Sequence, residues 1–234
     1  MKIAIVGLGG SYADYIAARV ASQEFDEVWG INCIGGIIHV DKTFMMDPVS
    51  RFLDTDNAGT QTGVARQFLK TNKKPIVTCQ LDKRVKHLEL FPLKEVTLDL
   101  GYCYFNNTVP YAVAFAIYHK VTHLYLYGID YSYNSNITIA EAGRACTEFW
   151  ISAAVARGMQ IEVAQDSTLL DTNVPEEEKL YGYHRLDDPL VMSVKDGALT
   201  VTKKSETTPP EPVDKPVLYG RHDKVVSLKE AVNV

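Results

Sequence analysis

The sequence predicts an α/β fold: a Rossmann-like three-layer sandwich with a mostly parallel sheet, followed by a C-terminal β-hairpin and an extended tail. Short apolar runs alternate with helical stretches over most of the chain, which is the pattern of parallel strands covered by helices. The first apolar run ends in a glycine-rich turn that leads into a helix. Beyond Leu170 the alternation stops, and a hairpin signal and a proline-rich segment replace it.

The predicted strands are short, apolar and bounded by polar or turn residues. The first, Lys2–Val6, reads KIAIV and is continuously apolar after its lysine, as expected of a strand buried on both faces. Further strands are predicted at Glu27–Asn32, Thr43–Met46, Pro75–Cys79, Glu95–Leu98, His123–Tyr127 and Ile161–Ala164.

Three helices are predicted between these strands. Tyr12–Ser22 has apolar residues in a helical rhythm, and Glu141–Arg157 carries a long apolar stripe that ends at Gly158 in the manner of a C-cap. The third, Tyr111–His119, follows polar residues suited to an N-cap, with a proline in its first turn. Those polar residues are Asn106, Asn107 and Thr108.

The chain is predicted to divide into a core and an appendage. Residues 1–172 form the Rossmann-like nucleotide-binding domain, and 173–204 an appended segment with a hairpin around Asp196-Gly197, a strong turn signal. Residues 205–234 form a proline-rich linker and tail. Because so short an appendage cannot bury a core of its own, we expect the tail to pack on a neighbouring subunit in a homo-oligomer.

Composition excludes several classes of protein. The 234 residues are 46% hydrophobic and 23% charged, with a formal net charge of only -5, so no excess of positive charge is present to hold nucleic acid or a membrane surface. Nucleic acid stays open as a substrate that accepts the transferred group.

No run approaches the roughly 20 apolar residues of a membrane span. The four cysteines form no CxxC pair, which argues against structural zinc. These features predict a cytoplasmic protein.

The glycine-rich turn is the first candidate binding site. Gly7, Gly9, Gly10 and Ser11 lie where a strand becomes a helix, so their backbone amides and the serine hydroxyl could contact a phosphate. The alternative is that the glycines only form a tight turn. A dinucleotide site would need a third glycine at Tyr12 and an acidic residue at the end of the second strand. NAD is therefore disfavoured.

Other candidate residues follow predicted strands, where open α/β sheets bind their ligands. Asn32 ends the second strand and could bind a ribose or a base edge. Asp130 follows the strand that reads HLYLY and is a candidate catalytic and nucleotide-contacting residue. Asn106, Asn107 and Thr108 form a second candidate anion site at a helix start, with simple capping of the helix as the alternative. Ser167, after the last core strand, could contact a ligand or cap a turn.

The candidates for proton transfer and metal binding are fewer. His184 is the most suggestive general base by residue type, because it follows the core closely enough to fold over a cleft. His123 begins a strand, where packing is the favoured role. Asp41 and Asp47 flank the third strand and could hold a divalent ion, although such acids are more often surface residues; no metal site is predicted.

Residues 104–131, together with GLGGS, VWGIN and ARGMQIEVAQDSTLLD, resemble motifs of bacterial sialyltransferases of the Campylobacter type. They are also similar to the 6-hydroxymethylpterin diphosphokinase-like family and to phage-encoded relatives of both. The matches span most of residues 1–172 in the same order. The resemblance implies a Rossmann-like domain that binds a nucleotide or nucleotide sugar and transfers a group.

The resemblance also implies site residues. Nucleotide contacts would come from Gly7, Gly9, Ser11, Asn32, Thr108 and Asp130. Sialyltransferases of this type carry a lid with a catalytic histidine after the Gly-Ile-Asp motif, whereas only residues 131–140 lie there in this chain, without histidine. The diphosphokinase-like branch needs a divalent ion such as Mg²⁺, for which Asp41, Asp47 and Asp130 are the candidate ligands. A phage origin would place the protein in the host cytoplasm.

Three functions follow as hypotheses. The first is a nucleotide-dependent group transferase, a glycosyltransferase-like enzyme that uses a nucleotide-sugar donor, with Asp130 or His184 as the proton acceptor. The second is a Mg²⁺-dependent phosphotransferase or diphosphotransferase that acts on a small hydroxylated acceptor. The third is a non-catalytic protein that binds a nucleotide-like ligand.

Overall fold

The structure, a computed structural model, describes residues 1–59, 61–132, 136–182, 190–195 and 198–207. Within them the chain divides into two compact units, Met1–Asn173 and a second that begins at Val174. His184 and almost all of the predicted tail at 205–234 lie outside the described residues. In the part of the chain that is described, every helix is too short or too polar to cross a bilayer.

The first unit is built on a seven-stranded sheet in which all neighbouring strands are parallel. Its strands are β1 (Lys2–Val6), β2 (Glu27–Ile31), β3 (Lys42–Phe44), β4 (Ile76–Thr78), β5 (Leu88–Leu90), β6 (His123–Tyr127) and β7 (Gln160–Val163). The spatial order is β5-β4-β3-β2-β1-β6-β7. The chain thus builds outward from β1 to β5 and returns to the other side of β1, which makes the space between β1 and β6 a topological switch point.

Among its described residues this unit has six α-helices: α1 (Tyr12–Val20), α2 (Ser50–Leu53), α3 (Thr62–Thr71), α4 (Leu93–Leu100), α5 (Thr108–Tyr118) and α6 (Ile137–Val155). Helices α4, α5 and α6 share one apolar core with Ile3 and Ile5 of β1. Tyr15 of α1 packs with Ala4 and Val6 on the opposite face. Because successive strand residues point to opposite faces, this alternation gives the three layers that the sequence predicts.

Helix α5 is buried almost all round, with nine of its eleven residues buried. Its sequence, TVPYAVAFAIY, has no charged residue, which fits a helix enclosed by its neighbours. Asn107 is the N-cap, as predicted: its Oδ1 accepts a hydrogen bond from the amide of Val109 at 3.1 Å.

One predicted strand is wrong. Glu95–Leu98 lies within helix α4, and the strand of this region is β5, directly before it. The buried residues of α4 are Val96 and Leu100, four positions apart, which is the spacing of one helical face. Gly101 then ends the helix with a left-handed φ of 78°. The prediction fails because a run of four residues is too short for its periodicity to distinguish a strand from one turn of a helix.

The second unit contains α7 (Glu176–Lys179) and the antiparallel pair β8 (Leu190–Lys195) and β9 (Ala198–Lys203). Lys195 pairs with Ala198, so the strands meet across the predicted Asp196-Gly197 turn, whose two residues are outside the described part. The predicted hairpin is confirmed.

Candidate functional site

A cavity of about 810 Å³ lies at the carboxyl ends of the central strands. We call it the switch-point cavity, because it opens over the loops that follow β1 and β6. Its wall is formed by Gly7–Gly10, Ile31–Asn32, Met46–Asp47, Arg51–Phe52, Ala58, Gly59, Gln61, Phe105–Val109, Tyr111 and Gly128–Ser132. A cavity of this size accommodates a ligand of nucleotide scale.

The glycines of the first loop let two chain segments pack against each other. A Cβ atom on Gly7 would lie 2.4 Å from the carbonyl oxygen of Gly128, and one on Gly9 would lie 2.5 Å from Oδ2 of Asp130. Gly128 has a left-handed φ of 66°, and a Cβ there would lie 2.5 Å from the carbonyl oxygen of Gly7. Gly10 differs, because its nearest neighbour would be 3.8 Å away. The alternative that most of these glycines form a tight turn is therefore supported by their contacts.

Along residues 7–11, backbone amides that are hydrogen-bonded within the chain alternate with amides that have no partner among the described residues. Gly7 donates to the carbonyl of Tyr127 and Gly9 to that of Gly128, both at 2.8 Å. The amide of Ser11 donates to Oδ2 of Asp130 at 2.8 Å. Among the described residues, the amides of Leu8 and Gly10 make no hydrogen bond within the chain. A ligand at this loop would therefore meet the amides of Leu8 and Gly10, not those of Gly7, Gly9 and Ser11.

Asp130 and Ser11 form a closed pair at the start of α1. The Ser11 hydroxyl donates to Oδ1 of Asp130 and accepts from the amide of Gly128 at 2.9 Å. Ser11 is 3% exposed and Asp130 7% exposed. The positive end of the α1 dipole thus already holds an anion, the carboxylate of Asp130. The predicted phosphate position at Ser11 is occupied by the protein itself.

The start of α5 faces the same cavity, and no acidic side chain of the described residues is hydrogen-bonded to Thr108 there. Thr108 and Asn107 both line the cavity wall. Within the described ranges, neither the amide nor the hydroxyl of Thr108 makes a hydrogen bond. The helix start is therefore open to an anion from outside the chain.

The side chain of Asn107 is fully used by the protein. Its Oδ1 accepts from the Val109 amide and from the Tyr131 hydroxyl, at 3.1 Å and 3.0 Å. Its Nδ2 donates to Oδ1 of Asn106 at 2.8 Å and to the carbonyl of Gly143 at 3.3 Å. An asparagine amide has two donor hydrogens and one acceptor oxygen. Asn107 therefore shapes the helix start, and its side chain has no hydrogen left for a ligand.

Asn32 presents an unused acceptor. It follows β2 with a left-handed φ of 56° and lines the cavity. Its Oδ1 is buried and has no hydrogen-bond partner among the described residues. A buried polar atom without a partner is costly, so a group that donates a hydrogen bond to it would be stabilised there.

Ser167 lies outside the cavity wall. It is 1% exposed, and its hydroxyl donates to the carbonyl of Ile129 at 2.7 Å and accepts from the amide of Leu169 at 3.0 Å. The next residue, Thr168, donates its hydroxyl to the carbonyl of Asp130. The two hydroxyls after β7 hold the turn that carries Asp130, so Ser167 acts on the cavity through the backbone.

The Tyr131 side chain makes contacts at the cavity that the sequence does not predict. Its φ is 46°, and its hydroxyl bonds with both Asn107 and Thr147. Its ring lies against Gly143, where a Cβ would approach the ring to 2.7 Å. No local signal could have revealed these contacts, which join positions 16 and 24 residues apart.

Of the three aspartates considered as metal ligands, two line the cavity. Asp47 does so beside Arg51, whose Nη1 lies 2.6 Å from its Oδ1. Asp130 is the second. Asp41 instead accepts from the amide of Val28 at 2.9 Å and faces His39 at 3.7 Å. No group of three or more His, Cys, Asp and Glu side chains in the described ranges could hold a metal ion.

Part of the remaining wall is aromatic. Phe105 and Tyr111 stack with ring centroids 4.3 Å apart and planes 19° apart, across the first turn of α5. Phe105 also stacks on the buried Trp150. Burial raises the pKa of Tyr111, and the neighbouring thiols of Cys79, Cys103 and Cys146 add to this. Its hydroxyl is therefore a hydrogen-bond donor at neutral pH, not a base.

Comparison with known proteins gave structural matches only. No family model and no curated protein matches the chain. Two matched structures are of the sialyltransferase CstII from Campylobacter jejuni, both 16% identical in sequence. The complex with the substrate analogue CMP-3FNeuAc has a TM-score of 0.46 and covers 72% of this chain and 82% of that one. The complex with cytidine-5'-monophosphate has a TM-score of 0.43 and covers 72% and 81%.

At this sequence identity and TM-score, the matched structures do not assign a role to any residue of this chain. The fold assignment rests on the strand order described above. The diphosphokinase-like and phage-encoded branches of the resemblance stay predictions.

Proposed function

We propose that the protein is a nucleotide-dependent group transferase, and that its reaction is glycosyl transfer from a nucleotide sugar. The observation that carries the proposal is the difference between two helix starts at the switch-point cavity. The start of α1 is filled by the carboxylate of Asp130, whereas among the described residues no charged side chain bonds to the amide or hydroxyl of Thr108 at the start of α5. An anionic ligand that enters the cavity is therefore directed to α5.

The phosphate of the donor would bind at Thr108. The amide and hydroxyl of that residue are free donors within the described ranges, and the dipole of α5 favours negative charge there. The amides of Leu8 and Gly10 are further donors in the same wall. Such preorganised donors stabilise a leaving phosphate as its charge develops.

The nucleoside would bind at Asn32. Its buried Oδ1 suits a hydrogen donated by a ribose hydroxyl or by the exocyclic amine of a base. Because β2 ends at Ile31 and this asparagine follows it, the end of the strand lacks the acidic residue that binds the ribose of NAD. A nucleotide or nucleotide sugar fits the wall better than a dinucleotide.

The acceptor proton would go to a carboxylate of the cavity. In the transfer, the acceptor oxygen bonds to the anomeric carbon of the donor, the bond from that carbon to the phosphate oxygen breaks, and the electron pair leaves with the phosphate. Both oxygens of Asp130 accept from Ser11, whereas Asp47 is bound by Arg51 through Oδ1 alone among the described residues. We therefore assign the proton acceptor to Asp47 in place of Asp130.

A ligand panel tests the proposal. CMP, UDP, GDP and ATP derivatives, including nucleotide sugars, are added with and without Mg²⁺, and the melting temperature and the release of nucleotide are measured. We expect at least one nucleotide sugar to raise the melting temperature and to be turned over without Mg²⁺. Turnover of ATP with Mg²⁺ would favour a phosphotransferase, and recovery of unchanged ligand a binding protein. Indifference to the whole panel would exclude all three.

A further inference from the structure

The open start of α5 is held by a chain of three hydrogen-bonded side chains that begins outside the cavity. Tyr131 has one hydroxyl hydrogen, which it donates to Oδ1 of Asn107 at 3.0 Å because that oxygen cannot donate. The hydrogen bond between Tyr131 and Thr147 is therefore donated by the threonine. This hydrogen-bond relay runs from Thr147 through Tyr131 to Asn107, whose Oδ1 also accepts a hydrogen bond from the amide of Val109.

Thr147 is the member that no ligand can touch. It lies in α6, is 0% exposed and is absent from the cavity wall. Asn107 is fixed at its other end as well, because its Nδ2 donates to Asn106 and to Gly143 of the same helix α6. The orientation of the N-cap therefore depends on α6 through two routes, one of which passes through the Tyr131 hydroxyl.

We propose that Thr147 and Tyr131 are positioning residues for anion binding at the start of α5: they fix the Asn107 cap, and with it the direction of the free Thr108 amide. The inference rests on the proposed function, because it assigns the phosphate to that amide. Capping side chains decide which amides of a helix start are bonded and which stay free. Loss of the relay loosens the cap without removing any group that meets the nucleoside at Asn32.

The relay makes a prediction that a purely structural role does not. The phosphate contribution to binding is the ratio of the Kd of a nucleoside to the Kd of its monophosphate. Removal of a relay hydrogen bond should lower this ratio about threefold to tenfold, the range of one neutral hydrogen bond, and leave nucleoside affinity unchanged. A general loss of stability would instead weaken both ligands alike.

The test uses the full chain and isothermal titration with CMP, UMP, AMP and GMP and their four nucleosides. Thr147→Val removes the buried hydroxyl at constant shape, and Tyr131→Phe removes the phenol oxygen but keeps the ring against Gly143. Thr43→Val is the matched control, since Thr43 is also 0% exposed but its hydroxyl has no partner among the described residues. Thr147→Ser keeps the donor and serves as the rescue variant.

We expect Thr147→Val and Tyr131→Phe to lower the ratio, and Thr43→Val and Thr147→Ser to keep it. A Thr147→Val protein that melts earlier but keeps the wild-type ratio would overturn the positioning role and leave the proposed function intact. If Thr147→Val does not fold, Tyr131→Phe with an unchanged ratio overturns it equally. A wild-type protein that binds none of the four monophosphates overturns the proposed function, and the positioning role with it.

Discussion

The Ser11 hydroxyl donates a hydrogen bond to the Asp130 carboxylate across 119 positions of sequence. The same carboxylate receives the Ser11 amide at 2.8 Å, and the hydroxyl oxygen receives the Gly128 amide at 2.9 Å. With the bond from the Gly9 amide to the Gly128 carbonyl, four hydrogen bonds among the described residues join the loops after β1 and β6, the two strands of the switch point. The Ser11–Asp130 pair fills the start of α1 and leaves the start of α5 open to a ligand.

Ser11→Ala should destabilise the protein strongly. The change leaves the buried Asp130 carboxylate with one donor fewer and the Gly128 amide unpaired, so we expect a loss of about 2 kcal/mol or more in the free energy of unfolding. Urea denaturation measures it. Ser152→Ala on the exposed face of α6 is the control and should change stability little. Equal stability of the two variants would contradict the role of the pair.

Gly7→Ala should also destabilise, because its Cβ would lie 2.4 Å from a backbone oxygen that cannot move independently. Gly63→Ala in α3 is the matched control, with no atom within 4 Å of its Cβ. Alanine favours helix over glycine, so the control should gain up to about 1 kcal/mol. Thermal unfolding compares the two variants. A Gly7→Ala protein as stable as the control would show that the loops do not need this close approach.

Asn32→Gly should separate stability from binding. The glycine removes a buried acceptor that has no partner in the described ranges and relieves a left-handed backbone, so we expect a gain of up to about 1 kcal/mol in stability. Nucleotide affinity should fall about tenfold, because a buried hydrogen bond to the ligand is lost.

Ser22→Gly is the control for this substitution, since Ser22 is exposed and has a φ of 62°. It should show the stability gain and keep the affinity, as measured by chemical denaturation and titration with CMP, UMP, AMP and GMP. Unchanged nucleotide affinity in Asn32→Gly would remove Asn32 from the binding site.

Stability should fall at alkaline pH because of Tyr127. Burial, followed by the charge of Glu162, raises the pKa of Tyr127 to about 12, above the value of 10.0 expected in the unfolded chain. The phenol is protonated in both states below pH 10, so this group costs no stability there. Between about pH 10 and pH 12 the unfolded state loses its proton first, and stability drops by about 2 to 3 kcal/mol.

Urea denaturation at pH 8, 10 and 11 measures this drop. Tyr127→Phe should flatten the profile, whereas Tyr181→Phe, at a tyrosine that is 83% exposed, should keep it. A wild-type profile that is flat up to pH 11 would contradict the assignment.

Asp47→Asn should slow glycosyl transfer at least about tenfold and leave nucleotide affinity unchanged. The reason is that an asparagine amide cannot take up the proton that the hydroxyl of the acceptor substrate loses. Asp41→Asn is the control at the other end of β3, outside the cavity wall. Nucleotide release from a turned-over nucleotide sugar is measured, with and without EDTA. We expect EDTA to have no effect. Activity that EDTA abolishes would instead make Asp47 a metal ligand and favour the phosphotransferase.

Local signals were sufficient for much of the fold. The continuous apolar run of β1, the glycine-rich turn after it and the Asn107 cap of α5 each depend on neighbouring residues, and each is present in the structure. The run at Glu95–Leu98 was misread because four residues do not distinguish a strand from one turn of helix. Helix α3 and strand β5 were missed altogether.

The sequence by itself determined the Rossmann-like core and the edge of the sheet where Gly10, Asn32, Thr108 and Asp130 gather, because the carboxyl ends of parallel strands meet at one edge. Only the tertiary structure decided what those residues can do. In it Asp130 bonds to Ser11, Asn107 bonds to Tyr131, and the Oδ1 of Asn32 has no hydrogen-bond partner among the described residues. Whether a polar group is free or bonded depends on contacts between distant segments, and no local pattern encodes them.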